Sequence, residues 1–160
     1  MILAKPKRKV RFRTDLYAYL AGILDGEGHI IAYTTWNNGI PVIILGVTNT
    51  NRRPLEMFER YFGGKIKERI RHENPRAKKQ YEWICRDKAE IFWALSRMLP
   101  WLIIKRARAK AAIVIIQHSP ATGYAASRTA FAVIRRAFRV FGSKHYGVAK
   151  TNRCLKVIAA

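Results

Sequence analysis

The sequence predicts an α+β domain in which four antiparallel strands, in two hairpins, carry their helices on one face. Two observations carry this. Apolar residues switch between helical and alternating spacing along the chain. Turn-forming Gly, Asn and Pro residues fall where the spacing switches.

The elements follow in order. Thr14 and Asp15 open the first helix with a capping side chain and an acid in the first turn. Leu16, Leu20, Ile23 and Leu24 recur at helical spacing, and glycine at 26 and 28 is expected to stop the helix in the left-handed conformation. Extended runs over 29–36 and 41–48 flank Asn37-Asn38-Gly39, which is hairpin-turn chemistry. Pro54 opens a helix with Leu55, Phe58, Tyr61 and Phe62 on its apolar side, closed by Gly63-Gly64. Runs over 65–71 and 80–86 make a second hairpin. Three helices follow, over 87–99, 101–118 and 125–141, the middle one burying Ile104, Ala111, Ile115 and Ile116. Residues 1–13 form a basic arm, 14–141 one domain, and 142–160 a weakly patterned tail.

Charge is the outlying property. The 160 residues include 31 Lys and Arg against 10 Asp and Glu, a net charge of +21. Such an excess repels itself unless a polyanion is near. Nucleic acid, with one charge per ~1.7 Å of duplex axis, is the first candidate and an anionic membrane surface the second. No run approaches the ~18 apolar residues of a membrane span. Cys85 lies in an apolar strand-like run and reads as a buried free thiol. It is far in sequence from Cys154, so no disulfide framework is expected. The apolar start at residues 1–4 is too short for a signal peptide, and an intracellular setting is expected. His29, His72, His118 and His145 lack the spacing of a zinc site.

The end of the first helix carries the chemistry. Ala18, Gly22 and Gly26 recur every four residues, and a stripe of small residues lets two helices approach closely. Gly22 costs roughly 1 kcal/mol against Ala in a helix interior, and close packing is one reason to keep it. Glu27 lies at the negative end of the helix dipole, an unfavourable place for a carboxylate. Two such helices side by side bring two acids together and call for cations, and hard oxygen ligands suit Mg²⁺.

The segment Leu20-Ala21-Gly22-Ile23-Leu24-Asp25-Gly26-Glu27-Gly28 resembles the LAGLIDADG signature of homing endonucleases. Ile23 and Leu24 exchange order, and Gly26 and Glu27 stand for the usual Ala and Asp. Glutamate keeps the charge and reaches one methylene further. The resemblance covers roughly 14–118 and implies the αββαββα fold with a curved four-stranded sheet. A single motif implies a homodimer with the two helices at its two-fold axis, hence a near-palindromic double-stranded DNA target. The implied chemistry is metal-assisted phosphodiester hydrolysis that leaves short 3′ overhangs. Glu27 and the carbonyl of Gly26 would hold Mg²⁺, or Mn²⁺, or Ca²⁺ in a non-cleaving complex. No small-molecule cofactor is implied. Asn49 matches the polar residue that orders water near the scissile phosphate, and Arg52 or Arg53 supports that network or grips a phosphate. Lys105, in the run from Leu99, matches the active-site lysine that stabilises charge on phosphate and attacking hydroxide. Two alternatives use the same scaffold, an RNA maturase and a non-catalytic DNA-binding regulator.

Strand alternation assigns a DNA face. Lys67, Arg69 and Arg71 share one side of the second hairpin with Gln80 and Glu82, and the first hairpin presents Tyr33, Thr35 and Asn37. Arg pairs with guanine and Gln with adenine in the major groove. Val42 and Ile44 also point to this side, in a strand apolar on both faces. They would touch thymine methyls, or the strand reads DNA shape.

Overall fold

The computed structural model describes residues 14–34, 40–69, 79–119 and 128–142. The basic arm, Thr35, Asn37, Arg71, Cys154 and the tail beyond 142 lie outside them. The elements are α1 (Thr14–Glu27), β1 (Gly28–Thr34), β2 (Pro41–Asn49), α2 (Arg52–Phe62), β3 (Lys65–Arg69), β4 (Gln80–Cys85), α3 (Lys88–Met98), α4 (Arg106–His118) and α5 (Arg128–Phe138). A 3₁₀ turn follows over Arg139–Phe141.

The four strands form one antiparallel sheet in the order β1-β2-β4-β3, so both hairpins are present and β2 pairs with β4 at the centre. Alternation sorts the side chains. Ile30, Ala32, Ile43, Leu45, Val47, Trp83 and Cys85 are buried in one core with the helices. Their neighbours in sequence, from His29 and Ile31 on β1 to Glu82 and Ile84 on β4, stand on the other face, which is uncovered among the described residues, and apart from the buried Gly46 they are half-buried.

Glycines set the exits. Gly63 and Gly64 have φ of +84° and +75°, the left-handed region expected of them at the end of α2. The first helix ends differently from expectation. Among the described residues positive φ occurs only at Gly63, Gly64 and Gly142, so neither Gly26 nor Gly28 is a left-handed stop. The chain passes from α1 straight into β1, and Gly28 is required because a Cβ there would lie 2.3 Å from Leu24 Cδ1 and 2.7 Å from Leu24 O.

Three other element readings change. On α1 the buried stripe is Tyr17, Leu20, Ala21 and Leu24, while Leu16 and Ile23 are only partly covered. α2 starts at Arg52 rather than Pro54, because the Asn51 side chain accepts from the Arg53 N–H at 3.0 Å and caps it. The helix expected over 101–118 begins only at Arg106. Residues 99–105 turn and bend, which leaves Ile104 75% exposed instead of in the core.

Cys85 is buried and free, as its strand position implies. Its thiol donates to Glu90 Oε2 at 3.5 Å, and burial, with Glu90 adding to it, pushes its pKa up to about 12.

Candidate functional site

The bend at 99–105 is made by α1. The Asp25 carboxylate accepts the backbone N–H groups of Ile103 at 2.6 Å, Ile104 at 3.2 Å and Lys105 at 2.9 Å. Lys105 Nζ in turn donates to the carbonyl of Asp25. A cation thus sits on the negative end of the α1 dipole, where it is favoured. Burial alone would raise the Asp25 carboxyl. The three N–H groups and the Lys105 charge overrule it and hold the group below its ordinary value. Burial draws the Lys105 ammonium below an ordinary lysine, Arg108 adds to that and Asp25 opposes it.

One turn of chemistry away, Asn49 Nδ2 donates to Glu27 Oε2. Asn49 is itself oriented, because its Oδ1 accepts the Asn51 N–H at 2.7 Å. The end of β2 therefore fixes Asn49 against Glu27, and Asn51 ties the same loop to the start of α2. Arg52 and Arg53 follow in the first turn of α2. Two cations at the positive end of a helix dipole are unfavourable unless an anion is close. Arg52 is partly offset by Glu56 at 3.0 Å on the surface.

The structure thus gathers Gly26, Glu27, Asn49 and Lys105 around the end of α1, while Arg52 and Arg53 stand in the first turn of α2, joined to Asn49 through Asn51. Among the described residues no group of three or more His, Cys, Asp or Glu side chains converges. Asp25 is occupied by backbone N–H groups, which leaves Glu27, exposed beside the Gly26 carbonyl, as the carboxylate suited to a divalent ion.

The stripe Ala18, Gly22 and Gly26 lies on the outer side of α1. A shallow open groove is lined by these residues with Tyr19, Ile23 and Glu27. Among the described residues a Cβ added at Gly22 or Gly26 would meet nothing within 4 Å, so their packing gives no reason for either glycine.

The uncovered sheet face carries the polar set assigned from alternation. Lys67 pairs with Glu82 across β3 and β4, Arg69 pairs with Gln80, and Arg69 Nε lies 3.5 Å from Glu82 Oε2. Tyr33 is on the same face of β1, paired with Val42.

No family sequence model matches the chain, and no curated protein matches it significantly. Solved structures do. The homing endonuclease I-CvuI with its target in the presence of 2 mM Ca has a TM-score of 0.68 and 22% identity, over 91% of this chain and 96% of that one. The archaeal intron-encoded homing endonuclease I-Vdi141I, complexed with DNA, gives 0.59 and 15% over 89% and 94%. The LAGLIDADG homing endonuclease I-GzeII with its DNA target gives 0.57 and 16%, over 79% of this chain and 44% of that one.

The chain has the LAGLIDADG homing-endonuclease fold.

In that fold the motif residues 20–28 span the end of α1 and the first residue of β1. Sequence reasoning on the LAGLIDADG segment missed two neighbours. Asp25 was not singled out, although an acid beside Glu27 at a helix C-terminus has the same unfavourable dipole position and needs a partner. His29 was set aside as a lone histidine. On the uncovered face it faces Gly46 across β1 and β2, where a Cβ at Gly46 would lie 2.4 Å from its Nε2. Burial holds this imidazole below its ordinary value, Arg69 and Lys105 add to that, and Glu82 opposes it. A glycine inside the apolar run Leu45-Gly46-Val47 was the available signal, since strand glycines mark close approach.

Proposed function

We propose that the chain is a site-specific DNA endonuclease that acts as a homodimer on a long, near-palindromic duplex and depends on a divalent metal. The observation that carries this reading is the cluster at the end of α1. Glu27 is held by Asn49, Lys105 is held by Asp25, and both lie where α1 runs into β1. Pairing two copies through the Ala18-Gly22-Gly26 stripe brings two Glu27 carboxylates together, and gives the solvent-facing glycines a reason.

Glu27, with the Gly26 carbonyl, is the fitting holder of a hard divalent cation, Mg²⁺ first among them. When bound, the ion supplies Lewis-acid activation of the phosphate and of water. The chain's own residues do the rest. Lys105 offers positive charge to a pentacoordinate phosphate. Asn49 fixes the Glu27 carboxylate and, near the phosphate, orients water. Arg52 and Arg53 offer charge to the backbone from the adjoining rim. Lys67, Arg69, Gln80, Glu82 and Tyr33 read base edges. The structures of similar fold are described as complexes with DNA, which favours duplex DNA over the RNA of the maturase alternative, and as homing endonucleases, which favours cleavage over the regulator alternative.

The test is Glu27→Gln. A duplex library is cut in Mg²⁺ by the wild type to recover a site, and the variant is then compared on it. The variant is expected to bind that duplex as the wild type does, with no detectable cleavage. Full cleavage by the variant overturns the mechanism.

A further inference from the structure

The uncovered sheet face is divided into two parts. Its β3 side is polar, with Lys65, Lys67 and Arg69. Its β1 and β2 side is apolar. Ile31 pairs directly with Ile44, and Tyr33 with Val42. Ile84 pairs with Gly46 and so lies diagonal to Ile44. Ile31, Val42, Ile44 and Ile84 are absent from the side chains packed against the core, and each keeps part of its surface open. A water-facing face of an antiparallel sheet is ordinarily polar. Four branched apolar residues side by side, flanked by three cations, therefore call for an occupant that is both anionic and locally apolar.

The major groove of duplex DNA has this character at one base only. Thymine presents a 5-methyl group beside its O4 acceptor, while the other bases present hydrogen-bonding edges. We infer that the Ile31–Ile44 pair, with Val42 and Ile84, forms an apolar subsite for thymine methyl groups, so that each half-site carries A·T pairs there. This rests on the endonuclease reading above and specifies its substrate. Position along the half-site follows from strand geometry. Two residues along β1 advance ~6.7 Å, about two base-pair steps, so the A·T block lies about two steps outward from the pair beneath His29. The glycine at 46 gives the His29 imidazole its room in that inner row, where Ile84 stands on the far side of Gly46, and the Ile31–Ile44 row lies next to it. Cytosine and uracil both lack the methyl, so this half of the face also discriminates against RNA.

The test uses a duplex recovered by selection from a random library. Selected sites are expected to show A·T enrichment in one inner block of each half. The recovered duplex is then made with deoxyuridine replacing thymidine in that block, and binding is measured without metal. Each methyl removed is expected to weaken binding by about fourfold, the value of one buried methyl-sized group. Ile44→Ala, with Ile31→Ala as a second variant, is expected to bind the thymidine and deoxyuridine duplexes alike. Both side chains lie outside the core, so the fold is retained. Selected sites without thymine in the block, or equal wild-type affinity for both duplexes, overturn the inference and leave the endonuclease reading standing. Failure to recover any duplex overturns both.

Discussion

Replacing Asp25 with Asn separates the support of Lys105 from the acid Glu27. The carboxylate accepts three backbone N–H groups, Ile103 and Ile104 on Oδ2 and Lys105 on Oδ1, at 2.6–3.2 Å. A hydrogen bond to a charged acceptor contributes about 1.5–3 kcal/mol when buried, and about 1 kcal/mol at a partly exposed site such as this one. In the amide, the oxygen keeps the Ile103 and Ile104 bonds without charge. The NH₂ group faces the Lys105 N–H, donor against donor. One bond lost and two weakened amounts to about 2 kcal/mol, a fall in Tm of roughly 4–8 °C for a chain of this size. Cleavage should fall by up to about 10²-fold, because the Lys105 backbone N–H loses its acceptor and the residue shifts, although its Nζ keeps the carbonyl of residue 25. DNA affinity should hold. Thermal unfolding by circular dichroism, at fixed protein concentration, reads the first effect. The pH dependence has a definite sign. The folded carboxyl titrates below its ordinary value of 3.8, so its stabilisation is present above that pH and is lost as pH falls through the folded value. The wild-type advantage over Asp25→Asn should therefore shrink in strong acid. An unchanged Tm together with unchanged cleavage refutes the role assigned to Asp25.

Two further substitutions test the surrounding geometry. Gly63→Ala places a Cβ 2.0 Å from Glu90 Oε1 at a φ of +84°, and should cost about 2–4 kcal/mol in chemical denaturation. Gly46→Ala meets the movable end of His29 and lies 3.2 Å from the Trp83 carbonyl oxygen, so stability should fall by about 1 kcal/mol while the displaced ring alters the base preferred at the innermost selected position. In a His29→Ala background the same change should leave that preference as it is, and site selection with both proteins checks this.

The order of elements was legible because periodicity and turn chemistry agree. Asn37-Asn38-Gly39 separates two extended runs, Gly63-Gly64 sits where helical spacing gives way to alternation, and alternation placed Lys67, Arg69, Gln80 and Glu82 on one face. The motif made Glu27, Asn49 and Lys105 legible as candidates; Asn49 reaches Glu27, and Lys105 reaches Asp25 two residues before it. What local pattern could not supply was contact across long sequence separations. Asp25 lies 78 to 80 residues from the N–H groups it accepts, and that contact moves the start of α4 and exposes Ile103 and Ile104. Helical spacing continued through that stretch, so propensity alone extended the helix to Trp101. Likewise Leu16 looked like core and Tyr17 is core, because the burial of α1 is set by what the sheet and α3 present. The pairing of His29 with Gly46 needed the register of β1 against β2, which local sequence pattern does not reveal.

The central claim is most directly tested by disulfide trapping of α1 against its counterpart in a second copy. The protein used carries Gly22→Cys, with Cys154→Ser to remove the other thiol of interest; Cys85 is buried. A disulfide needs Cα atoms within about 7 Å, which is met only if the two helices touch along their small residues. Under mild oxidation with recovered duplex, a covalent dimer is expected on a non-reducing gel, whereas Val140→Cys, exposed on the 3₁₀ turn after α5, yields none. A Gly22→Cys protein that binds the duplex and stays uncrosslinked contradicts the pairing on which the site depends.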